Sequence, residues 1–285
     1  MRLGLSSQVF LAAAAAGRKA LVGYYPVGYP NVEASLQVLK TLCGTDEHPG
    51  VDLVEVGMPY SDPMMDGSVI QSAGSAALRA GVRTRDVFAA VQQVREAGKC
   101  AVVMTYWNLV ERYGVRAFAR DLANAGGAGV ITVDLIPEEA SQWFAAADEF
   151  GLDRIFLVSP SSSDERLVTT VQACRGWVYA TAVMGVTGMR NTAPTLAPQL
   201  VSRIRELVPE ALIGVGLGVS NGEQAAAVAE YSDAVIVGSA LLKPMIAAGS
   251  LAGLPDLQKV LDELVAGVRG GTATQNSISM IEREC

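Results

Sequence analysis

Eight short apolar runs punctuate the chain, at Ala20–Val27, Val51–Val56, Cys100–Tyr106, Gly129–Val133, Arg154–Val158, Trp177–Val183, Leu212–Val215 and Ala234–Val237. Each has the length of a strand, and nearly all are separated by one stretch of helical periodicity. Runs buried on both faces and joined by helical crossovers indicate a parallel sheet. Eight such units are the count for a closed (β/α)8 TIM barrel. A doubly wound open sheet is the other solution, because periodicity does not show closure. Two segments exceed the barrel pattern: an Ala-rich helix over Val9–Ala16 before the first strand, and a helix over Gly67–Ala80 after the second. The expectation is α/β, one barrel domain over 1–266, and a loose Gly-, Ser- and Thr-rich tail over 267–285.

Helix ends carry local signals. Asn31, Thr84, Ser163 and Ser220 are placed as N-caps, and Gly98 follows a helix that begins at Thr84. The segment Ala240–Ala248 is expected to open the last helix.

Composition narrows the function. With half of its 285 residues apolar, the chain can bury a large core, and a net charge of −7 argues against nucleic-acid binding, which needs a basic face. Cys43, Cys100, Cys174 and Cys285 are widely spaced and have no neighbouring histidines. They fit buried apolar thiols and one tail thiol in a reducing compartment. The apolar stretch at Val9–Ala16 runs straight into Gly-Arg-Lys, which suits a helix better than an export signal. A cytoplasmic location is the expectation.

The second apolar run carries an acid, Glu55, and breaks at Gly57 into a Pro-rich loop ending in Asp66-Gly67. Burying an unpaired carboxylate is costly and shifts its pKa. One acid on a strand end and one on the loop behind it can converge on a small molecule, each with its own pKa. Pairing of Glu55 with a neighbouring strand and an ordinary turn at Asp66 is the competing reading.

Glycine-bearing turns follow the last three strands: Met184-Gly185-Val186-Thr187-Gly188, Val215-Gly216-Leu217-Gly218-Val219-Ser220 and Val237-Gly238-Ser239. In a barrel, the loops after strands seven and eight form a phosphate site from backbone amides and a helix N-terminus. Neither of the last two turns holds a Lys or Arg, so the amides would have to suffice. Cleaving a carbon–carbon bond there would need an electron sink. No lysine among Lys19, Lys40, Lys99, Lys243 and Lys259 falls at a strand C-terminus, where a Schiff base would sit. The single histidine, His48, lies in a loop without a ligand cluster, so no metal is expected. The same scarcity removes a Ser/His/Asp nucleophile. The sink must lie in the substrate.

The stretch Glu55-Val-Gly-Met-Pro-Tyr-Ser-Asp-Pro-Met-Met-Asp66-Gly resembles the signature of the tryptophan synthase alpha chain family. Gly28-Tyr29-Pro30, Met104-Thr-Tyr-Trp-Asn108, Asp134-Leu135, Gly185–Gly188 and Gly238-Ser239 fall in the family's order, and the likeness covers about residues 18–250. Met64-Met65, Ser68 and the placement of Pro137 depart from its usual pattern.

The resemblance implies cleavage of indole-3-glycerol phosphate to indole and glyceraldehyde 3-phosphate, with the indole ring as the sink. It makes Glu55 the general acid/base and Asp66 the ionised partner of the indole N–H, with Tyr179 hydrogen-bonded to Glu55. Tyr24 and Tyr106 would line the indole pocket, with barrel-core packing as the alternative role for these three tyrosines. Amides at Gly188, Gly218, Gly238 and Ser239 would hold the phosphate. The Gly185–Asn191 loop would be a lid, with Thr187 reaching Asp66. Tyr60, Asp62, Pro63 and Asn108 would face a pyridoxal-phosphate beta subunit in an alpha2beta2 assembly. No cofactor is expected in this chain. A stand-alone lyase releasing free indole, and a non-catalytic subunit that activates a partner, remain alternatives.

Overall fold

The computed structural model describes residues 1–181, 193–216 and 218–270. Its element order follows the apolar runs. In chain order these are α1 (Leu5–Ala15), β1 (Ala20–Pro26), α2 (Val32–Cys43), β2 (Leu53–Gly57), α3 (Ser68–Arg79), α4 (Thr84–Glu96) and β3 (Cys100–Thr105). Next come α5 (Trp107–Tyr113), α6 (Val115–Asn124), β4 (Gly129–Thr132), α7 (Ser141–Phe150), β5 (Asp153–Val158), α8 (Asp164–Ala173) and β6 (Val178–Thr181). The chain continues through α9 (Ala193–Leu207), β7 (Ile213–Gly216), α10 (Gly222–Ala229), β8 (Ala234–Val237), α11 (Ser239–Ala248) and α12 (Leu254–Gly270).

The strands close in sequence order into one parallel barrel. β8 pairs with β1, Ala20 opposite Ala234, and this pairing rejects the open sheet. Alternation along each strand then sorts the side chains. Ala20, Val22, Leu53, Val102, Ile131, Ile155, Trp177 and Ile236 pack together inside the barrel. Their neighbours in the strands, such as Leu21, Val54, Val103 and Val130, pack outward against the helices.

α1 closes the floor. Its Phe10 and Ala13 join the interior cluster, and the Phe10 ring lies 5.2 Å from that of Trp177. The first turn of α1 is pinned by the buried Asp153 at the start of β5. That carboxylate accepts from Leu5 N at 3.2 Å, Ser6 N at 2.7 Å and Ser6 Oγ at 2.6 Å. Arg175 Nε stands 3.6 Å from the same group.

Several helix ends differ from the sequence reading. Asn31 and Ser163 cap as expected, accepting from Ala34 N and Arg166 N. Thr84 is the first helical residue of α4; Arg83 is the cap, and Asp86 reaches back to Arg83 N at 2.7 Å. Asn221, not Ser220, caps α10. Gly249, at φ +62, ends α11, so the final helix is a separate element. That helix runs to Gly270, where a loose tail was expected from residue 267; the remainder of that tail, 271–285, lies outside the described residues. Among the described residues no helix is long and apolar enough to cross a membrane. Cys43 and Cys174 are buried, Cys100 is half-buried, and all three are free thiols.

Candidate active site

The C-terminal mouth of the barrel is where the two acids meet. Glu55 shares its facing with Leu53, so the pleat of β2 sends it inward, opposite Tyr24 of β1 and Val102 of β3 in register. It is 1 % exposed, and neither carboxyl oxygen has a hydrogen-bond partner among the described residues. Burial, reinforced by the charge of Asp66, pushes its pKa up to about 8. Glu55 therefore holds its proton at neutral pH. Asp66, half-buried, is raised by burial to about 6 and so is mostly ionised at pH 7. Two carboxyls close enough to act on one another electrostatically thus take opposite protonation states.

Asp66 is held through its backbone. Gln71, in the first turn of α3, donates from Nε2 to Asp66 O at 2.9 Å and to Pro63 O at 3.3 Å. On the other side the Tyr106 hydroxyl accepts from Met65 N at 2.9 Å. A small cavity lined by Tyr24, Met58, Asp66, Met104, Tyr106 and Val133 opens at this point.

Tyr24 and Tyr179 belong to the same electrostatic neighbourhood. Burial pushes both hydroxyls well above the ordinary range, and the charges of Glu55 and Asp66 add to the effect. Glycines make room for these rings. A Cβ on Gly57 would meet the Tyr24 hydroxyl at 2.5 Å, and one on Gly216 would meet that of Tyr179 at 2.4 Å. The expected hydrogen bond from Tyr179 to Glu55 is not formed: the Tyr179 hydroxyl lies against Gly216 and its ring stacks on Trp177 at 5.8 Å.

At the far side of the mouth, Gly218 has φ +65, a left-handed conformation that suits glycine. Gly238 is the residue before α11, Ser239 begins that helix, and no side chain among the described residues caps it. The helix starts at the mouth end of β8, where a Cβ on Gly238 would meet Tyr24 and Ile70, and its first amides have no intrahelical acceptor. Such a cradle suits an anion. Thr187, Gly188 and the rest of the 185–191 loop lie outside the described residues.

On the rim, the Tyr60 ring stacks on Tyr106 at 4.7 Å, and Asn108 Nδ2 approaches the Tyr60 hydroxyl at 3.5 Å. Asp62 is exposed and accepts from Ser61 Oγ, and Pro63 is half-buried. Among the described residues there is no cluster of three metal-ligating side chains. His48 sits at the surface, with Nδ1 3.2 Å from Asp262.

Sequence reasoning missed α5, Gln71 and the role of Asp134, which accepts from Trp107 N at 2.7 Å and so anchors the start of α5. A polar residue on the inner side of a first helical turn, five positions after a candidate acid, was the available signal for Gln71. Nothing local announces Asp134, since its partner is 27 residues away.

Comparison with known proteins fits this geometry. The family model described as tryptophan synthase alpha chain matches residues 10–264. The tryptophan synthase alpha chain of Mycobacterium marinum is 56% identical over 255 residues, covering 90% of this chain and 91% of that one. A solved chain of Mycobacterium tuberculosis tryptophan synthase superposes with a TM-score of 0.86 at 54% identity, covering 94% of this chain and 99% of that one. The tryptophan synthase A-subunit of Pyrococcus furiosus, a hyperthermophile, matches at TM-score 0.78 and 31% identity, over 87% and 99% of the two chains. With the family model spanning most of its length, this chain belongs to the tryptophan synthase alpha chain family.

Proposed function

We propose that Glu55 and Asp66 carry out the lyase reaction of this family, the cleavage of indole-3-glycerol phosphate to indole and glyceraldehyde 3-phosphate. The observation that carries the reading is the placement of the two acids: Glu55 is buried on β2 with neither oxygen partnered among the described residues, and Asp66, on the loop behind it, is close enough for its charge to act on Glu55. Glu55 gives its proton to C3 of the indole, and the ring nitrogen becomes cationic. Asp66 accepts the indole N–H and offsets that charge. Glu55, now a carboxylate, takes the proton of the hydroxyl on the carbon attached to the ring. The carbon–carbon bond breaks, its electrons neutralise the ring, and the aldehyde forms with Glu55 protonated again. The phosphate rests on amides at Gly218, Gly238 and Ser239, and Tyr24 and Tyr179 flank the ring.

A partner completes the picture. Met64 is 78% exposed, and Met65, Tyr113 and Ile136 also leave large apolar surface in solvent. Tyr113 also lines a groove of about 480 Å³, together with Met58, Pro59, Leu109, Arg83 and Arg112. Apolar area of this kind is normally covered. A beta subunit seated on Tyr60, Asp62, Pro63 and Asn108, in an alpha2beta2 assembly, would cover it and receive the indole. The cytoplasmic location expected from the sequence accords with such a biosynthetic role.

Steady-state cleavage of indole-3-glycerol phosphate, with and without a beta subunit, tests this. Low turnover alone that rises steeply with the partner is the expected result. High turnover indifferent to the partner would mean a stand-alone lyase, and none in either condition would overturn the enzymatic reading.

A further inference from the structure

Tyr106 does more than a pocket-lining residue needs to do. Its hydroxyl accepts from the amide of Met65, the residue before Asp66. Its ring stacks on Tyr60, near the start of the same loop. One side chain therefore touches the Asp66 loop close to both ends. Tyr106 is also the cap residue of α5, whose first amide is fixed by Asp134 and whose Asn108 approaches the Tyr60 hydroxyl. The Asp66 carboxylate has no hydrogen bond of its own among the described residues; only its backbone is tied. Where the carboxylate sits is decided by what holds the loop, and Tyr106 is the residue that joins the loop to α5 close to Asp66 itself.

We infer that Tyr106 is a positioning residue: through Met65 N–H and the Tyr60 stack it sets the placement of Asp66 and passes to it any shift of α5 imposed by a partner on Asn108. This rests on the assignment of Asp66 as the group that meets the indole N–H. Small displacements of a charge-stabilising group are enough to matter, since a shift of about 1 Å can cost up to roughly 100-fold in rate.

The test is a double-mutant cycle on the full chain, assayed with and without a beta subunit. Tyr106→Phe keeps the ring and the stack but loses the acceptor. It should lower kcat about tenfold with KM changed by less than about twofold, and should shrink the activation by the beta subunit. In an Asp66→Asn background the same change should have almost no further effect on kcat, because no carboxylate remains to be placed. Tyr60→Leu, which breaks the stack from the rim, should also reduce the activation factor. A raised KM with unchanged kcat would make Tyr106 a lining residue only and overturn the inference. So would losses that add independently in the double variant, and that result would leave the role of Asp66 standing. Near-normal turnover of Asp66→Asn alone would instead remove the Asp66 assignment, and the inference with it.

Discussion

The barrel buries a carboxyl group at each end and treats the two in opposite ways. At the floor, Asp153 is fully buried but receives three hydrogen bonds from Leu5 and Ser6, with Arg175 close by. Burial still raises its pKa, and those donors and the arginine oppose the rise. At the mouth, Glu55 is as deeply buried and, among the described residues, has no partner for either oxygen. The unopposed desolvation leaves it protonated at neutral pH. A satisfied buried acid secures an element; an unsatisfied one stores a proton. The same physical cost yields a latch at one end and an acid catalyst at the other.

The sharpest way to break this contrast is Glu55→Gln. It should cut kcat by about 1,000-fold, within the range for a lost general acid/base, as read by single-turnover cleavage. It should also stabilise the fold at high pH. A carboxyl whose folded pKa lies above its unfolded value contributes stability that is full below about 4.5 and is lost as pH climbs through about 8. Thermal melts should therefore separate variant from parent by a few kcal/mol at pH 9 and hardly at all at pH 4.5. A variant less stable than the parent at pH 9 would mean that Glu55 is paired after all.

Asp153→Ala should do the reverse: about 3 kcal/mol lost in urea unfolding, from stranded donors on α1 and an uncompensated Arg175. Its kcat should stay near the parent value at temperatures where it remains folded. An intermediate effect is expected from pH itself. kcat/KM should follow a bell, falling below about 6 as Asp66 protonates and above about 8 as Glu55 loses its proton. A flat profile between pH 5 and 9 would separate the reaction from both groups. The smallest effect belongs to Gly218→Ala. A side chain at φ +65 costs about 1 kcal/mol, and the expected outcome is a KM raised a few-fold with kcat kept.

The two ends also differ in how far they were legible in the sequence. Glu55 stood out because a lone acid in an apolar strand contradicts its surroundings, and the strand period alone sends it inward with Leu53. The barrel was legible for the same reason: eight doubly buried runs leave few other solutions. Closure was not, because the pairing of Ala20 with Ala234 joins residues that no local pattern relates. Asp153 stayed hidden, since an acid at the start of a strand looks like any exposed turn residue until α1 is folded over it. Gln71, Asp134 and the Met65–Tyr106 bond were missed because each is a contact between separate elements. Arg83 displaced Thr84 as a cap because Asp86 satisfied the free amide from inside the helix, which a search for a capping hydroxyl overlooks.

The floor latch also bears on the order of assembly. The seat of α1 is built from Asp153, Arg175 and Trp177, with Ser6 and Asp153 separated by 147 positions. Synthesis proceeds from the N-terminus, so residues 5–15 emerge while more than half of the barrel has yet to be made. Until β5 and the residues leading into β6 arrive, Phe10 has no ring to pack against and the amides of Leu5 and Ser6 have no carboxylate. Contacts of such long range form late, after the entropy of the intervening loop has been lost. The segment that leaves the ribosome early is thus among the last to dock, and its docking reports that the strands above it are in place.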